Sequence, residues 1–310
     1  MNRWSNVFLG LVMALGLGAC VREKLPDCPP MQVTLSVKDK NYFNIDDAAK
    51  LGLLERKAED LPFRSYVSSL YYIVHDADGN VVAEQKNTVI DNDDLVQQIV
   101  LPSSLPYGTY SFTVWGNMKS DEPLGENATE ADIEEVGAAF NDIYLANGTF
   151  EYQYGKEKHT LGLERTKGNL LIKAENIPDN IDFSTKDIMD VFSLVDNSFN
   201  YSNLTDLHTN LDWEVHNEIL TQTLVGPSPG YEDSALDVEF IEKGTSSQGD
   251  VRNASSSASL VPERVYCTFG RNELTILRYV YVGDGSSNEF KVYIMVNAAW
   301  EQVIDMDIQE

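Results

Sequence analysis

The residue best placed for chemistry is Cys20. Arg3 is the only charge before it. Val7 to Ala19 is an uncharged, largely apolar run of thirteen residues, closed by Leu17-Gly18-Ala19. A basic start, a short apolar stretch and small residues before a cut mark an exported chain. The run is too short to cross a bilayer, which takes roughly 20 residues. Gly18 and Ala19 fit a narrow peptidase cleft, and the thiol one position on resembles the lipobox cysteine that accepts diacylglycerol before cleavage. The competing reading is an ordinary export signal with an incidental cysteine. The expected prosthetic chemistry is a covalent lipid on Cys20 and no other cofactor. Several acyl chains hold a protein firmly where one binds marginally, at ~0.8 kcal/mol per buried methylene.

Other residue groups imitate reactive sites and fail on their chemistry. Gly226-Pro227-Ser228-Pro229-Gly230 matches G-x-S-x-G. A nucleophile elbow uses the backbone N–H after the serine as an oxyanion donor, and Pro229 has none. Asp76-Ala77-Asp78-Gly79-Asn80 opens like a calcium loop, but the sixth and twelfth positions hold Val81 and Asn87 where glycine and glutamate are needed. Asp91-Asn92-Asp93-Asp94 reads as a solvated acidic loop. His75, His159, His208 and His216 are scattered, and none stands at zinc-site spacing with a cysteine. There is no P-loop and no G-x-G-x-x-G. The expected catalytic, metal and cofactor-binding sets are therefore empty. Cys28 and Cys267 can pair in an oxidising compartment, but Cys267 alternates with Val265 and Phe269 and reads better as a buried strand thiol.

Acids outnumber bases 49 to 23, a net charge of −26. That argues against a nucleic-acid partner, because counterion release needs clustered Lys and Arg. It equally disfavours electrostatic docking on acidic lipid. With 43% hydrophobic residues the chain is too apolar to be disordered.

The elements that must carry any function are mostly strands. After a stiff segment with Pro26, Pro29 and Pro30, Met31, Val33, Leu35 and Val37 alternate with polar residues, giving one packed face. Asp46 or Asp47 is expected to cap a helix through Ala48, Leu51, Leu54 and Ala58, ending before Pro62. Leu70–Val74 and Val81-Val82 flank Asp78-Gly79, which suits a type I′ hairpin turn. Strands are expected at 96–101 and 110–115, and a short helix at 129–140 with Ile133, Val136 and Phe140 on one face. A second set follows from Leu161: 169–174, 191–195, 236–241, 264–269, 274–282 and 290–296, the last two joined at Asp284-Gly285. Residues 246–259 read as a loop. Trp300, Ile304, Met306 and Ile308 alternate at the end of the chain. Short strands and frequent turns predict an all-β protein with short helices, built as β-sandwiches. The expected division is a signal peptide at 1–19, a lipidated tether at 20–30, an N-terminal sandwich at 31–158 and a C-terminal one at 159–310.

The order of several motifs resembles one family, the FimB-type (Mfa-like) fimbrial anchor lipoproteins of Bacteroidia. The motifs are the lipobox Cys20 with Asp27-Cys28-Pro29-Pro30; Tyr71-Tyr72-Ile73-Val74-His75-Asp76 with Asp78-Gly79-Asn80; and Leu105-Pro106-Tyr107-Gly108-Thr109-Tyr110 with Val114-Trp115-Gly116-Asn117. Leu163-Glu164-Arg165 leading to Asn169-Leu170-Leu171-Ile172 and Asn176-Ile177-Pro178 completes the set. The resemblance covers residues 20–180 and thins afterwards. It implies two tandem transthyretin-like sandwiches at the cell outer membrane, in a non-catalytic lipoprotein that anchors a fimbria at its base and limits its length. Shaft subunits are the implied partners, met by β-strand interactions. The competing reading is a processed shaft or tip subunit, or a surface adhesin binding glycan or protein. Arg56 and Arg64 lie where shaft processing would cut, and Trp213, Tyr201 or Tyr231 could serve an adhesin. Trp300 to Ile308 is a candidate contact with the first shaft subunit, or simply the closing strand of the second sandwich. Asp233-Ser234-Ala235 resembles a short bacterial O-glycosylation sequence.

Overall fold

A computed structural model of the chain describes residues 29–121, 123–135, 138–212, 218–230, 232–242, 259–283 and 289–303. In chain order the elements are β1 (Gln32–Val37), α1 (Ile45–Lys50), β2 (Ser69–His75), β3 (Val81–Val89), β4 (Gln97–Val100), β5 (Gly108–Gly116), β6 (Glu130–Asp132), β7 (Tyr144–Tyr152) and β8 (Lys158–Arg165). There follow β9 (Gly168–Glu175), β10 (Phe183–Asp196), β11 (Tyr201–Asp212), β12 (Glu218–Val225), β13 (Ser234–Ile241), β14 (Ser259–Leu260), β15 (Val265–Cys267), β16 (Leu274–Tyr281), β17 (Phe290–Val296) and β18 (Ala299–Gln302). The protein is all-β, as the alternation predicts.

The first sandwich packs β4-β1-β8 against β3-β2-β5-β7, and the two layers meet at one corner where β7 pairs β8. β1 buries Val33, Leu35 and Val37 and exposes its alternate residues more, so every second side chain enters the core. Those residues face Val74, Phe112, Val114 and Tyr144 from the opposite layer. Each such burial contributes ~1.5–3 kcal/mol. β5 is buried on both faces. Its outward Trp115 is covered by the 118–143 excursion, where its indole N–H donates to the Ala128 carbonyl at 2.8 Å.

The second sandwich packs β11-β10-β13 with β14 and β15 against β12-β9-β16-β17-β18. Leu170, Ile172, Ile188, Val238, Phe240 and Tyr279 lie between the layers. β6 leaves the first module to pair with the far end of β10. α1 and the residues after it reach the second sandwich as well. Ile45, Ala48 and Leu53 pack on Leu171, Leu274, Ile276 and Met295, with Trp300 beside them. The Asn44 side chain bonds both the N–H and the carbonyl of Leu274, acting as one more backbone rung.

The structure departs from the sequence expectations at definable points. The helix stops at Lys50 rather than running to Ala58. Gly52 takes φ +68°, its N–H reaches Ala49 O and the Leu53 N–H reaches Ala48 O, a Schellman closure that ends a helix outright. No helix forms over the described part of 129–140. Asn127 and Ala128 have positive φ, and pairing of Ala131 with Val195 draws the segment into a sheet. Phe140, expected inward, is 82% exposed. At the β2–β3 hairpin only Gly79 is left-handed (φ +82°). The Asp76 carboxylate accepts the N–H groups of Asp78 and Asn80, so the turn is three residues with a bulge rather than type I′. β8 begins where the second domain was expected but pairs with β1 in parallel and with β7, so the first module runs to Arg165. β11 and β12 were not expected at all.

Candidate functional site

Two regions hold buried basic side chains, and both draw on the two halves of the chain. The first is the seam. Residues 165–168, which join the sandwiches, are all buried, although Arg165-Thr166-Lys167 is a polar and doubly basic sequence. Burying such groups is costly unless each is paired. Arg165 donates through Nε to both Asp142 carboxylate oxygens (2.8 and 3.1 Å) and through Nη1 to Asn272 Oδ1 (2.9 Å). Its guanidinium lies over the Tyr42 ring at 4.4 Å and the Tyr144 ring at 5.2 Å. Its backbone N–H donates to Asp39 and its carbonyl accepts from Arg271.

Lys167 uses all three ammonium protons, on Glu134 Oε2 (3.2 Å), Ala138 O (3.3 Å) and Ala139 O (2.8 Å). Glu134 Oε1 accepts the Gly226 N–H at 3.0 Å. Burial drives both partners toward neutrality. It pushes the Glu134 carboxyl up to about 7 against the pull of Lys167, and it lowers the Lys167 amine. Gly168 completes the joint by close approach. A Cβ there would stand 2.3 Å from the Gly270 carbonyl oxygen. The seam thus binds 39–44, 134–143, Gly226 and 271–273 into one polar knot. It fixes one sandwich to the other.

The second region is a cleft of about 1190 Å³ between β11 and β12 of the second sandwich, bordered also by Tyr42, Lys119, Glu134 and Phe140 of the first module. Among the described strands β11 and β12 are both terminal in their layers. Lys186 on β10 points into the gap at 4% exposure and donates to Thr223 Oγ1 (2.6 Å) and Thr221 Oγ1 (3.3 Å) of β12. Burial alone lowers its amine to about 8, with no carboxylate contributing. Thr209 Oγ1, on β11 directly beside Lys186, is buried without a partner. Sequence reasoning missed Arg165, Lys167 and Lys186. The available signal was a basic residue at a core-facing strand position, with Ser184, Lys186 and Ile188 alternating inward.

The residues singled out in the sequence do not converge. Cys20, Cys28, Trp213, His216, Tyr231, Ile304, Met306 and Ile308, with the Asp284-Gly285 turn and most of the 246–259 loop, lie outside the described residues. Trp300 sits in β18, pairs with Met295 across β17 and packs half-buried beside α1. Cys267 is buried in the second core, where burial pushes its thiol up to about 12. Ser228 is also buried. It shares a hydrogen bond with Ser234 Oγ (2.7 Å) and accepts the Phe269 N–H (2.8 Å). Ser234 is fully buried as well, which closes its hydroxyl to glycosylation in the folded chain. His159 stacks on Phe150 and His208 Nδ1 lies 2.5 Å from Asp187. Tyr201 is no exposed platform; its hydroxyl donates to the Thr166 carbonyl at the seam. Arg64 pairs with Asp93, and Arg56 with Asp46 and Glu59. Among the described residues no group of His, Cys, Asp or Glu is arranged to hold a metal ion.

Comparison with known proteins places this geometry. Residues 25–161 match the model of a family described as fimbrillin-A associated anchor proteins Mfa1 and Mfa2. No curated protein matches the sequence. A candidate adhesin from Bacteroides thetaiotaomicron superposes with a TM-score of 0.57 at 12% identity, over 90% of this chain and 100% of that one. A candidate adhesin from Bacteroides ovatus gives 0.56 at 12%, over 93% and 98%. The fimbrial anchor protein Mfa2 from Porphyromonas gingivalis gives 0.51 at 12%, over 89% and 100%. At these identities the likeness is one of fold.

Proposed function

We propose, from a first module that matches the fimbrillin-A associated anchor family, that this protein is a fimbria-associated surface lipoprotein which ties a fimbria to the outer membrane and has no catalytic role. The single observation that carries this reading is the family match over residues 25–161. The lipobox-like approach to Cys20 supplies the membrane end, through a covalent lipid. Shaft subunits are the partners at the other end, contacted by strand addition, and occupation of that end limits further growth. The seam supports the reading physically. A tether transmits load only if its modules do not swing apart, and Arg165 and Lys167 are held by neighbours from both sandwiches.

Replacement of Cys20 by alanine tests it. The expected result is loss of the protein from the outer-membrane fraction and release of fimbriae into the medium. Protein and fimbriae both retained on the cell would overturn the reading. Recovery of a glycan but no fimbrial subunit with the wild-type protein would favour an adhesin instead.

A further inference from the structure

The seam and the cleft both bury a lysine, but only one lysine has an anion. Lys167 meets Glu134 and two carbonyls. Among the described residues Lys186 meets two neutral hydroxyls, which leaves one of its three ammonium protons without an acceptor. A buried ammonium without a counter-ion is a costly arrangement for stability alone. It sits at the floor of a cleft walled by two terminal strands, next to a second unmatched polar group, Thr209 Oγ1.

Among the described residues the surroundings do not supply the missing anion. Glu134 is taken by Lys167 and Gly226. Asp206 accepts the Asp190 N–H, and Asp187 pairs with His208 on the opposite face of the sheet. We infer that the β11–β12 cleft is a binding site for an extended peptide segment that carries a carboxylate, the acid reaching the free proton of Lys186 and the hydroxyl of Thr209.

Three features select a peptide over other acids. Terminal strands offer unpaired backbone donors and acceptors along their length, which an extended chain can match. The inner face of β11 reads Leu207, Thr209, Leu211, apolar on either side of the polar position, and Leu211 is exposed. Successive inward residues of a strand lie two apart, so the segment expected is acid flanked two residues away by apolar side chains. The opposing wall presents Thr221 and Thr223 toward Lys186, with Val225 buried two residues further on. Only the identity of the donor, a fimbrial subunit, rests on the anchor reading; the binding chemistry does not.

The full chain is titrated with two fluorescent seven-residue peptides that carry valine two residues before and two after the centre and polar residues elsewhere. Their central residue is aspartate in one and asparagine in the other. The aspartate peptide is expected to bind roughly tenfold tighter, as a charge-assisted bond to a desolvated amine should. Lys186→Met is expected to bring the ratio to about one, and Lys186→Arg to keep a preference for the acid. Equal binding of the two peptides by the wild type, or no binding, overturns the inference even if a variant fails to fold. So does binding of an oligoglucuronate with none of the aspartate peptide. Release of fimbriae by Cys20→Ala is read separately, so the anchor reading can fail while this one stands.

Discussion

Lys167 and Lys186 are the same residue in two settings, both buried within one β-sandwich protein. At the seam the amine is saturated by one carboxylate and two carbonyls, and those acceptors come from a distant excursion, 134–139. At the cleft its acceptors are two threonines across a gap between terminal strands. The difference shows what each region is for. A fully matched buried ion ties segments together, and a partly matched one is left for something else to complete.

The sharpest way to break the comparison is Lys167→Met. It strands a buried carboxylate and is expected to cost ~3–5 kcal/mol, measured by chemical denaturation. Lys186→Met strands only hydroxyls that can bond each other, and the expected change is within ~1 kcal/mol, stabilising included. Similar large losses for both would abolish the distinction.

A smaller effect follows from pH. The folded Glu134 carboxyl sits at about 7, above its ordinary value of 4.5. A raised carboxyl favours the folded state while protonated, so its contribution is present at pH 4.5 and is lost as pH rises through 7. Denaturation midpoints are expected to fall between pH 5 and 7.5, on the order of 1–3 kcal/mol. Glu134→Gln is expected to remove that slope, and Lys186→Met to leave it in place. Least of all, Gly79→Ala forces a left-handed residue at the hairpin tip, far from both lysines. It is expected to cost ~1 kcal/mol with peptide binding unchanged.

Neither region was as legible in the sequence as the first core. The first core is legible because Val33, Leu35 and Val37 alternate with polar residues, and because Phe112 and Val114 do the same in β5. β11 and β12 are not, since the residues lining the cleft are threonine and lysine where a closed core would have valine and leucine. In β11, moreover, Leu204, Leu207 and Leu211 fall at a helix-like spacing. The seam hid for a related reason. Its cations acquire meaning only beside Asp142, Glu134 and Asn272, between 23 and 107 residues away in the chain. The 129–140 segment misled because its apolar spacing suits a helix, while pairing with β10 overrides that local preference.

β1 lies inside its layer, antiparallel to β4 on one side and parallel to β8 on the other. It is the first strand after the stretch that leads to Cys20, and the Tyr152 hydroxyl grips the Pro29 carbonyl just before it. On the proposed anchor reading, load entering ahead of Pro29 meets β1 first, which two ladders hold along its length. Such a strand yields by shearing many rungs together rather than by peeling them one at a time, a mechanical clamp placed where a towed filament would tug hardest.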